Sequence, residues 1–212
     1  MLKIAVLISG SGSNLQAIID RIGGGDLQAQ IVGVLSNKAD AYGLVRARDK
    51  HIPTAIISHK DFADREAFDA AMVQAIDAWA PDVVVLAGFM RILTPHFVQH
   101  YEGRLLNIHP SLLPKYKGLH THRRALEAGD AEHGCSVHFV TPELDGGPVL
   151  AQAVVRVQPG DSEESLTERV HKCEHRLYPQ VLVWMANGEL AWRDGAPVFR
   201  DQPLLTPLQL AG

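Results

Sequence analysis

The sequence is poor in cysteine, in net charge and in long apolar runs, and each shortage excludes a class of protein. Its two cysteines, with no C-x-x-C pattern, offer neither a disulfide framework nor a thiolate zinc site. The 20 basic and 24 acidic residues leave a formal charge of −4, which gives no electrostatic footprint for wrapping nucleic acid. No apolar stretch reaches membrane-spanning length, and the amino-terminal run is too short for a signal peptide. We therefore expect a cytoplasmic globular protein that binds neither nucleic acid nor membrane.

The sequence does contain a repeated alternation of short β-branched apolar runs with helical patterns. Strand-like runs such as "KIAVLIS" and "DVVVLAGF" are each followed by a helical segment. Runs that are apolar at nearly every position indicate strands covered on both faces. The pattern predicts an α/β fold with an open, doubly wound, mostly parallel sheet and helices on both faces. Such sheets bind ligands beyond the carboxyl ends of their strands, so the loops there are the places to search.

The first such loop is Ser-Gly-Ser-Gly-Ser-Asn, residues 9–14. Its glycines permit a tight turn, and free N–H groups at the following helix start can hold an anion. A dinucleotide site is excluded because Leu15 replaces the third glycine and Ser36-Asn37 stands where an acidic residue is needed. The loop therefore predicts a monophosphate site, with a plain glycine-rich turn capped by Ser13 or Asn14 as the alternative.

The stretch "LLNIHPSLLP", residues 105–114, places two polar side chains in an apolar strand that a proline then ends. Residues two apart in a strand point to the same face, so Asn107 and His109 project together. Pro110 cannot donate to a sheet ladder, which leaves His109 at the carboxyl edge of the strand. An amide N–H and a protonated imidazole N–H that converge on one point stabilise an oxyanion, which predicts acyl transfer. The alternative is that both groups are satisfied polar groups of the core.

Acyl transfer to an amine also needs a group that moves a proton, and Asp145 is the candidate. It lies in "ELDGGP", where Gly146, Gly147 and Pro148 predict a turn. A carboxylate beside His109 would favour the cationic imidazole. The alternative role of Asp145 is to nucleate the turn.

A long helix is predicted from Ser162 to about Met185, because apolar residues recur there every three or four positions. Within it, residues 171–175 match the H-x-x-E-H pattern of one class of zinc peptidases. No third acidic ligand is marked, which counts against a zinc site. Because of the pattern match, a zinc peptidase that uses His171, Glu174 and His175 is still kept as an alternative from a different class. Beyond the helix, Asp194-Gly195 between two short apolar runs predicts a hairpin.

Four stretches together carry a resemblance to a known family: "VLISGSGSNLQAII", "VVVLAGFMRIL", "LLNIHPSLLPKYKGLHTHRRALEAGD" and "HGCSVHFVTPELDGGPVLAQ". Over residues 2 to about 190 the chain resembles the folate-dependent formyltransferases. The N-x-H-P-S-L-L-P motif and the later D-G-G-P are shared by the family. The S-G-x-G-S-N loop is typical of the branch that acts on glycinamide ribonucleotide.

The resemblance implies transfer of the formyl group of 10-formyltetrahydrofolate to the amine of glycinamide ribonucleotide in de novo purine biosynthesis, by direct attack through a tetrahedral intermediate. The implied catalytic residues are Asn107, His109 and Asp145. The implied ribonucleotide-binding residues are Gly12, Ser13, Asn14, His171 and Glu174, although the branch more usually has glutamine at position 171. The implied folate-binding residues are Arg65, Met90, Arg91, Ile92, Leu93, Asn107, Val140, Thr141 and Asp145. No metal is expected, and a cis peptide is expected at a proline after His109, with Pro114 the first candidate.

The implied organisation is a single formyltransferase domain over 1–212. Its parts are a Rossmann-like phosphate-binding half (1–100), a catalytic and folate-binding half (101–190) and a C-terminal hairpin and tail (190–212). The expected partners are the two small molecules, and the expected protein is a monomer or weak homodimer. Formyltetrahydrofolate hydrolase and methionyl-tRNA formyltransferase share the core and are kept as alternatives, although each carries a further domain that is not expected here. A non-catalytic nucleotide-binding module is the remaining alternative.

Overall fold

The computed structural model describes residues 1–210, which form two compact units, the first over Met1–Leu106 and the second from Asn107 onward. The first unit alternates strands and helices as predicted. Its strands run in the order β4, β1, β2, β3, and each of these pairings is parallel. Its elements are β1 (Leu2–Ile8), α1 (Ser13–Gly23), β2 (Ala29–Ser36), α2 (Tyr42–Asp49), β3 (Thr54–Ile56), a 3-10 turn (His59–Asp61), α3 (Arg65–Ala78), β4 (Val83–Leu86) and α4 (Pro95–His100).

The apolar runs of the first unit are buried because layers cover both sides of its sheet. Residues 4–8 of β1 and 83–85 of β4 have no exposed surface. Trp79, directly after α3, packs its ring against Gly33 of β2, where a Cβ would lie 2.1 Å from the ring. The absence of a side chain at residue 33 is therefore what lets α3 approach the sheet so closely.

The second unit contains a mixed sheet and a long helix. Strand β5 (Leu105–His109) begins at the end of the first unit and ends in the second. Strands of the second unit follow the order β11, β7, β6, β5, with β6 and β7 antiparallel and β11 parallel to β7. The predicted α/β class with mostly parallel strands is confirmed. The remaining elements are α5 (Thr121–Glu127), β6 (Glu132–Phe139), β7 (Val149–Arg156), α6 (Glu163–Ala186), β8 (Leu190–Arg193), β9 (Ala196–Phe199), β10 (Gln202–Pro203) and β11 (Leu208–Leu210).

Three local predictions for the second unit are confirmed. Ser162 caps α6 through a capping box, and Leu166, Val170, Leu177 and Val181 of its apolar stripe are fully buried. Asp194 and Gly195 both have positive φ, 52° and 80°, and form the two-residue turn between β8 and β9. The Leu113–Pro114 peptide is cis. In residues 1–210, no helix is both long enough and apolar enough to span a bilayer.

Candidate active site

Strand β5 places Asn107 and His109 as the sequence predicts. Leu105, Leu106 and Ile108 are buried, Asn107 is half-buried, and β5 ends at His109, which is 6% exposed. The strand ends there because the next residue, Pro110, has no N–H with which to continue the hydrogen bonding of the sheet. Both polar side chains therefore lie at the carboxyl end of a buried strand.

The imidazole of His109 is oriented by a backbone carbonyl. Its Nε2 lies 2.8 Å from the carbonyl oxygen of Tyr116, which accepts a hydrogen bond. A carbonyl cannot donate, so Nε2 carries a proton in both the neutral and the cationic ring. The Ser111 hydroxyl donates to the Lys115 carbonyl at 2.5 Å and supports the same turn. The second ring nitrogen, Nδ1, is consequently the one left for other partners.

Asp145 faces that second nitrogen. Its Oδ2 lies 3.6 Å from His109 Nδ1, and both side chains are 8% exposed. This separation suits an ion pair with a protonated imidazole but is too long for a hydrogen bond. The Asp145 carboxylate is fixed by the Gly118 N–H, which donates at 2.8 Å. The predicted grouping of Asn107, His109 and Asp145 within the second unit is therefore compatible with the geometry, and the turn role and the site role of Asp145 coexist.

The turn after Asp145 depends on glycine. A Cβ on Gly147 would lie 1.8 Å from the Phe139 carbonyl oxygen, and one on Gly146 would meet the Glu143 side chain at 2.4 Å. Asp145 itself has a left-handed φ of 52°, which side chains other than asparagine and aspartate rarely adopt. The local backbone thus aims the carboxylate at His109.

His138 orients Asn107, a role that the sequence did not reveal. His138 Nδ1 donates to the Phe139 carbonyl at 2.9 Å, so in the neutral ring Nε2 is an acceptor. Asn107 Nδ2 lies 3.4 Å from that Nε2 and donates a long hydrogen bond. Burial lowers the pKa of His138, which keeps the ring neutral and able to accept. The signal was a histidine within the apolar run of β6, a pattern of the same kind as His109 in β5.

The loop before α1, in the first unit, has the features of an anion site. Gly12 is the N-cap, with a left-handed φ of 71° and no side-chain capping bond, so the first-turn N–H groups remain available. The alternative of a turn capped by Ser13 or Asn14 is wrong. Within residues 1–210, the buried Asn14 Oδ1 has no hydrogen-bond partner, and as an acceptor it would take a donor rather than an oxygen of an anion.

Of the folate-binding residues predicted in the first unit, residues 90–93 lie on one segment after β4 and Arg65 lies at the start of α3. Met90 and Ile92 are 69% and 68% exposed, which is unusual for large apolar side chains. The segment is held in place by Arg65, whose Nη2 donates to the Ile92 carbonyl at 2.8 Å, and by Ser9, whose hydroxyl accepts from the Met90 N–H at 2.8 Å. Arg91 lies over the Phe68 ring at 5.8 Å, and Leu93 is half-buried.

Other predicted binding residues lie in the second unit. Val140 and Thr141 are half-buried directly after β6. Glu174 is 6% exposed on α6, and burial raises its pKa to about 7. Its Oε2 lies 3.8 Å from Nε2 of His171, whose side chain is 55% exposed and whose ring stacks on His175. A buried carboxylate beside an exposed imidazole can accept hydrogen bonds from a polyol.

The zinc-peptidase alternative receives no support. Among residues 1–210, no group of three or more histidine, cysteine, aspartate or glutamate side chains could hold a metal ion. Burial raises the pKa of both free cysteines, Cys135 and Cys173, so neither has the character of a thiolate nucleophile.

A comparison with known protein families identifies the family of the chain. The Formyl transferase family model matches residues 2–182, and the chain belongs to that family. Its α/β fold and its purine-biosynthetic relatives define it as a formyl-transferring enzyme.

Three relatives are similar over nearly their whole length. Phosphoribosylglycinamide formyltransferase of Escherichia coli (strain K12) is 60% identical over 200 residues, covering 92% of this chain and 94% of the relative. The enzyme of the same name from Haemophilus influenzae is 52% identical, covering 92% of each. A solved phosphoribosylglycinamide formyltransferase from Coxiella burnetii superposes with a TM-score of 0.95 at 51% identity, covering 99% of both chains. Neither a hydrolase nor a peptidase is favoured by these relatives.

Proposed function

We propose that this enzyme transfers the formyl group of 10-formyltetrahydrofolate to the primary amine of glycinamide ribonucleotide in de novo purine biosynthesis. The observation that carries the proposal is the arrangement of Asn107, His109 and Asp145 at the end of β5. Sequence identity of 60% to an enzyme named phosphoribosylglycinamide formyltransferase supports the choice of substrates. Formyl folate is a cosubstrate in this reaction.

Asn107 and His109 stabilise the oxyanion of the tetrahedral intermediate. Because Nε2 of His109 donates to the Tyr116 carbonyl, Nδ1–H of the cationic ring is the donor left for the substrate. Asn107 has one amide N–H directed at His138, and its other N–H is the second donor. Two fixed donors in a site shielded from water stabilise developing charge without reorganising.

Asp145 has a separate role, which concerns the proton that the amine loses. The substrate amine attacks the formyl carbon, and the bond from that carbon to N10 of the folate breaks. One amine proton must move to N10 as the new amide forms. Asp145 places a carboxylate 3.6 Å from His109 Nδ1 and relays the proton through water. No covalent enzyme intermediate is formed.

The binding residues divide between phosphate, ribonucleotide and folate. We assign Gly12, Ser13 and Asn14 to the phosphate, through the N–H groups of the first turn of α1, which carries no side-chain cap. Glu174 and His171 bind the remaining polar groups of the ribonucleotide. The folate is assigned to the set Arg65, Met90, Arg91, Ile92, Leu93, Asn107, Val140, Thr141 and Asp145.

Four further expectations belong to the same proposal. The chain acts as one formyltransferase domain, with a phosphate-binding half (1–100), a catalytic and folate-binding half (101–190) and a C-terminal part (190–212). It works as a monomer or weak homodimer. It needs neither metal nor nucleic acid. Its location is the cytoplasm.

Absorbance change on loss of the formyl group from 10-formyltetrahydrofolate tests the proposal directly. Turnover should require glycinamide ribonucleotide, because the amine is the acceptor. His109→Ala and Asp145→Asn should each lower kcat by at least about 10²-fold, the usual effect of losing one group that stabilises an oxyanion. His96→Ala and Asp49→Asn, which alter exposed side chains, are the matched controls.

Two results would contradict the proposal. Loss of the formyl group at full rate without ribonucleotide would identify a hydrolase. Near-normal turnover in His109→Ala or Asp145→Asn would remove the assigned catalytic residues. Unchanged activity after dialysis against a chelator is the accompanying expectation for a reaction without metal.

A further inference from the structure

Helix α2 contacts three consecutive residues of the loop before α1, residues 9–14, which we call the phosphate loop. The Gly43 N–H donates to the Gly10 carbonyl at 3.0 Å. Arg46 Nε donates to the Ser11 carbonyl at 2.8 Å. A Cβ on Gly12 would lie 2.6 Å from Gly43 Cα, so the two backbones are in direct contact. The shape of the loop is therefore imposed by α2 as well as by its own glycines.

These contacts determine which way the N–H groups of the loop point. In a planar trans peptide the C=O and the N–H point in opposite directions. The Ser11 carbonyl shares its peptide with the Gly12 N–H, and the Gly10 carbonyl shares its peptide with the Ser11 N–H. Because residues of α2 donate hydrogen bonds to both carbonyls, both N–H groups face away from α2. Neither of them donates to a protein acceptor in the described chain.

Arg46 is itself held rigidly for this contact. Its Nη1 donates to Gln16 Oε1 at 3.3 Å, and its guanidinium lies 4.9 Å from the centre of the Tyr42 ring. Gln16 is fixed in turn by a hydrogen bond of 2.8 Å from its Nε2 to Asp20 Oδ1. The planar guanidinium of Arg46 has several N–H donors in fixed directions, so it can donate to Ser11 and Gln16 at the same time. The ammonium of a lysine is a point charge on a flexible chain and does not fix both contacts in this way. The side chain thus links the loop to the first turns of α1.

We propose that Arg46 is a positioning residue for phosphate binding: by holding the Ser11 carbonyl it directs the Gly12 N–H at the substrate phosphate. Arg46 acts through the loop backbone and touches none of the reacting atoms. The inference rests on the proposed function, because it takes the loop as the site of the ribonucleotide phosphate. It predicts an effect confined to one of the two substrates.

Steady-state kinetics of Arg46→Met test the inference. The KM for glycinamide ribonucleotide should rise about tenfold, the equivalent of one lost charge-assisted hydrogen bond. The KM for 10-formyltetrahydrofolate and kcat should stay within about twofold, because binding alone is weakened. Inorganic phosphate, tested as a competitive inhibitor against the ribonucleotide, should bind more weakly by the same factor.

Two further variants separate positioning from charge. Arg48→Met removes the same charge from an exposed position on the same helix and should leave all constants unchanged. Arg46→Lys keeps the charge but not the fork, so its KM for the ribonucleotide should lie between those of wild type and Arg46→Met. Thermal melts show whether each variant is folded. If Arg46→Met does not fold, the KM of Arg46→Lys decides.

Each remaining result has a distinct meaning. Equal KM values for Arg46→Met and Arg48→Met would overturn the inference, as would an Arg46→Lys enzyme indistinguishable from wild type. A KM for folate that rises as much as the KM for ribonucleotide would show a general structural role instead. If inorganic phosphate does not compete with the ribonucleotide in the wild-type enzyme, the phosphate assignment in the proposed function fails, independently of Arg46.

Discussion

His133 should lower the stability of the folded protein when the pH is lowered. The side chain lies on β6, is 1% exposed, and has its Nε2 3.0 Å from Nδ1 of His122. Burial, followed by the charge of His122, lowers the pKa of His133 to about 4. The ordinary pKa of histidine is 6.5, so between pH 6.5 and pH 4 His133 is protonated in the unfolded chain but stays neutral in the folded protein. Stability from this group is therefore full above pH 6.5 and is lost as the pH falls toward 4.

The magnitude follows from the size of the shift. One pKa unit corresponds to about 1.4 kcal/mol, so a fall from 6.5 to about 4 amounts to about 3 kcal/mol. Glu174 works in the opposite sense, because burial raises its pKa to about 7 and the folded protein then binds a proton before the unfolded chain does. The two contributions offset each other in the wild type. A variant that removes one of them is needed to see the other.

Urea unfolding at pH 7 and pH 4.5, for wild type and His133→Gln, measures the effect. Between these pH values the wild type should lose about 2 to 3 kcal/mol more unfolding free energy than His133→Gln, because glutamine does not titrate. The exposed His96 provides the control His96→Gln, which should follow the wild type. Identical pH dependence in His133→Gln and wild type would refute the reasoning.

Two further predictions concern the ribonucleotide site and the packing of the sheet. Because burial raises the pKa of Glu174 to about 7, the KM for the ribonucleotide should rise as the pH falls from 8 to 6, and Glu174→Gln should abolish that dependence. If Glu174→Gln showed the same pH dependence of KM as the wild type, this prediction would be contradicted. Gly33→Ala places a Cβ 2.1 Å from the Trp79 ring and should destabilise the fold by about 2 to 3 kcal/mol in urea unfolding. Gly23→Ala, with open space at the Cβ position, is the control and should change stability by less than about 1 kcal/mol. Equal losses of stability in Gly33→Ala and Gly23→Ala would show that the Trp79 ring moves away from residue 33 at no cost.

The parts of the site that follow from local sequence rules were predictable. Alternation along a strand places Asn107 and His109 on one face, and Pro110 ends the strand at His109. The glycines after Asp145 predict a turn, and the structure gives a physical reason in the close approach of Gly147 to the Phe139 carbonyl. These rules require no knowledge of distant contacts.

The supporting contacts were not predictable because they depend on register and on unusual backbone geometry. The hydrogen bond between His138 and Asn107 requires the alignment of β6 with β5, which sequence periodicity does not fix. The Tyr116 carbonyl reaches His109 from a residue with a left-handed φ of 54°, which tyrosine rarely adopts. The short strand β11 pairs parallel to β7, and a three-residue segment in a proline-containing tail gives little signal.

The two left-handed residues beside His109 have a consequence for engineering this enzyme. Tyr116 and Asp145 have φ values of 54° and 52°, and each such residue costs on the order of 1 kcal/mol relative to glycine. Glycine at position 116 would relieve that cost, but it would also remove a ring whose hydroxyl donates to Asp130 at 2.5 Å and which lies 5.1 Å from the Arg124 guanidinium. The side chain of Tyr116 therefore compensates for the backbone conformation that presents its carbonyl to His109. Glycine at this position would widen the conformational range of the turn that holds the imidazole, so stability screens here need an activity counter-screen.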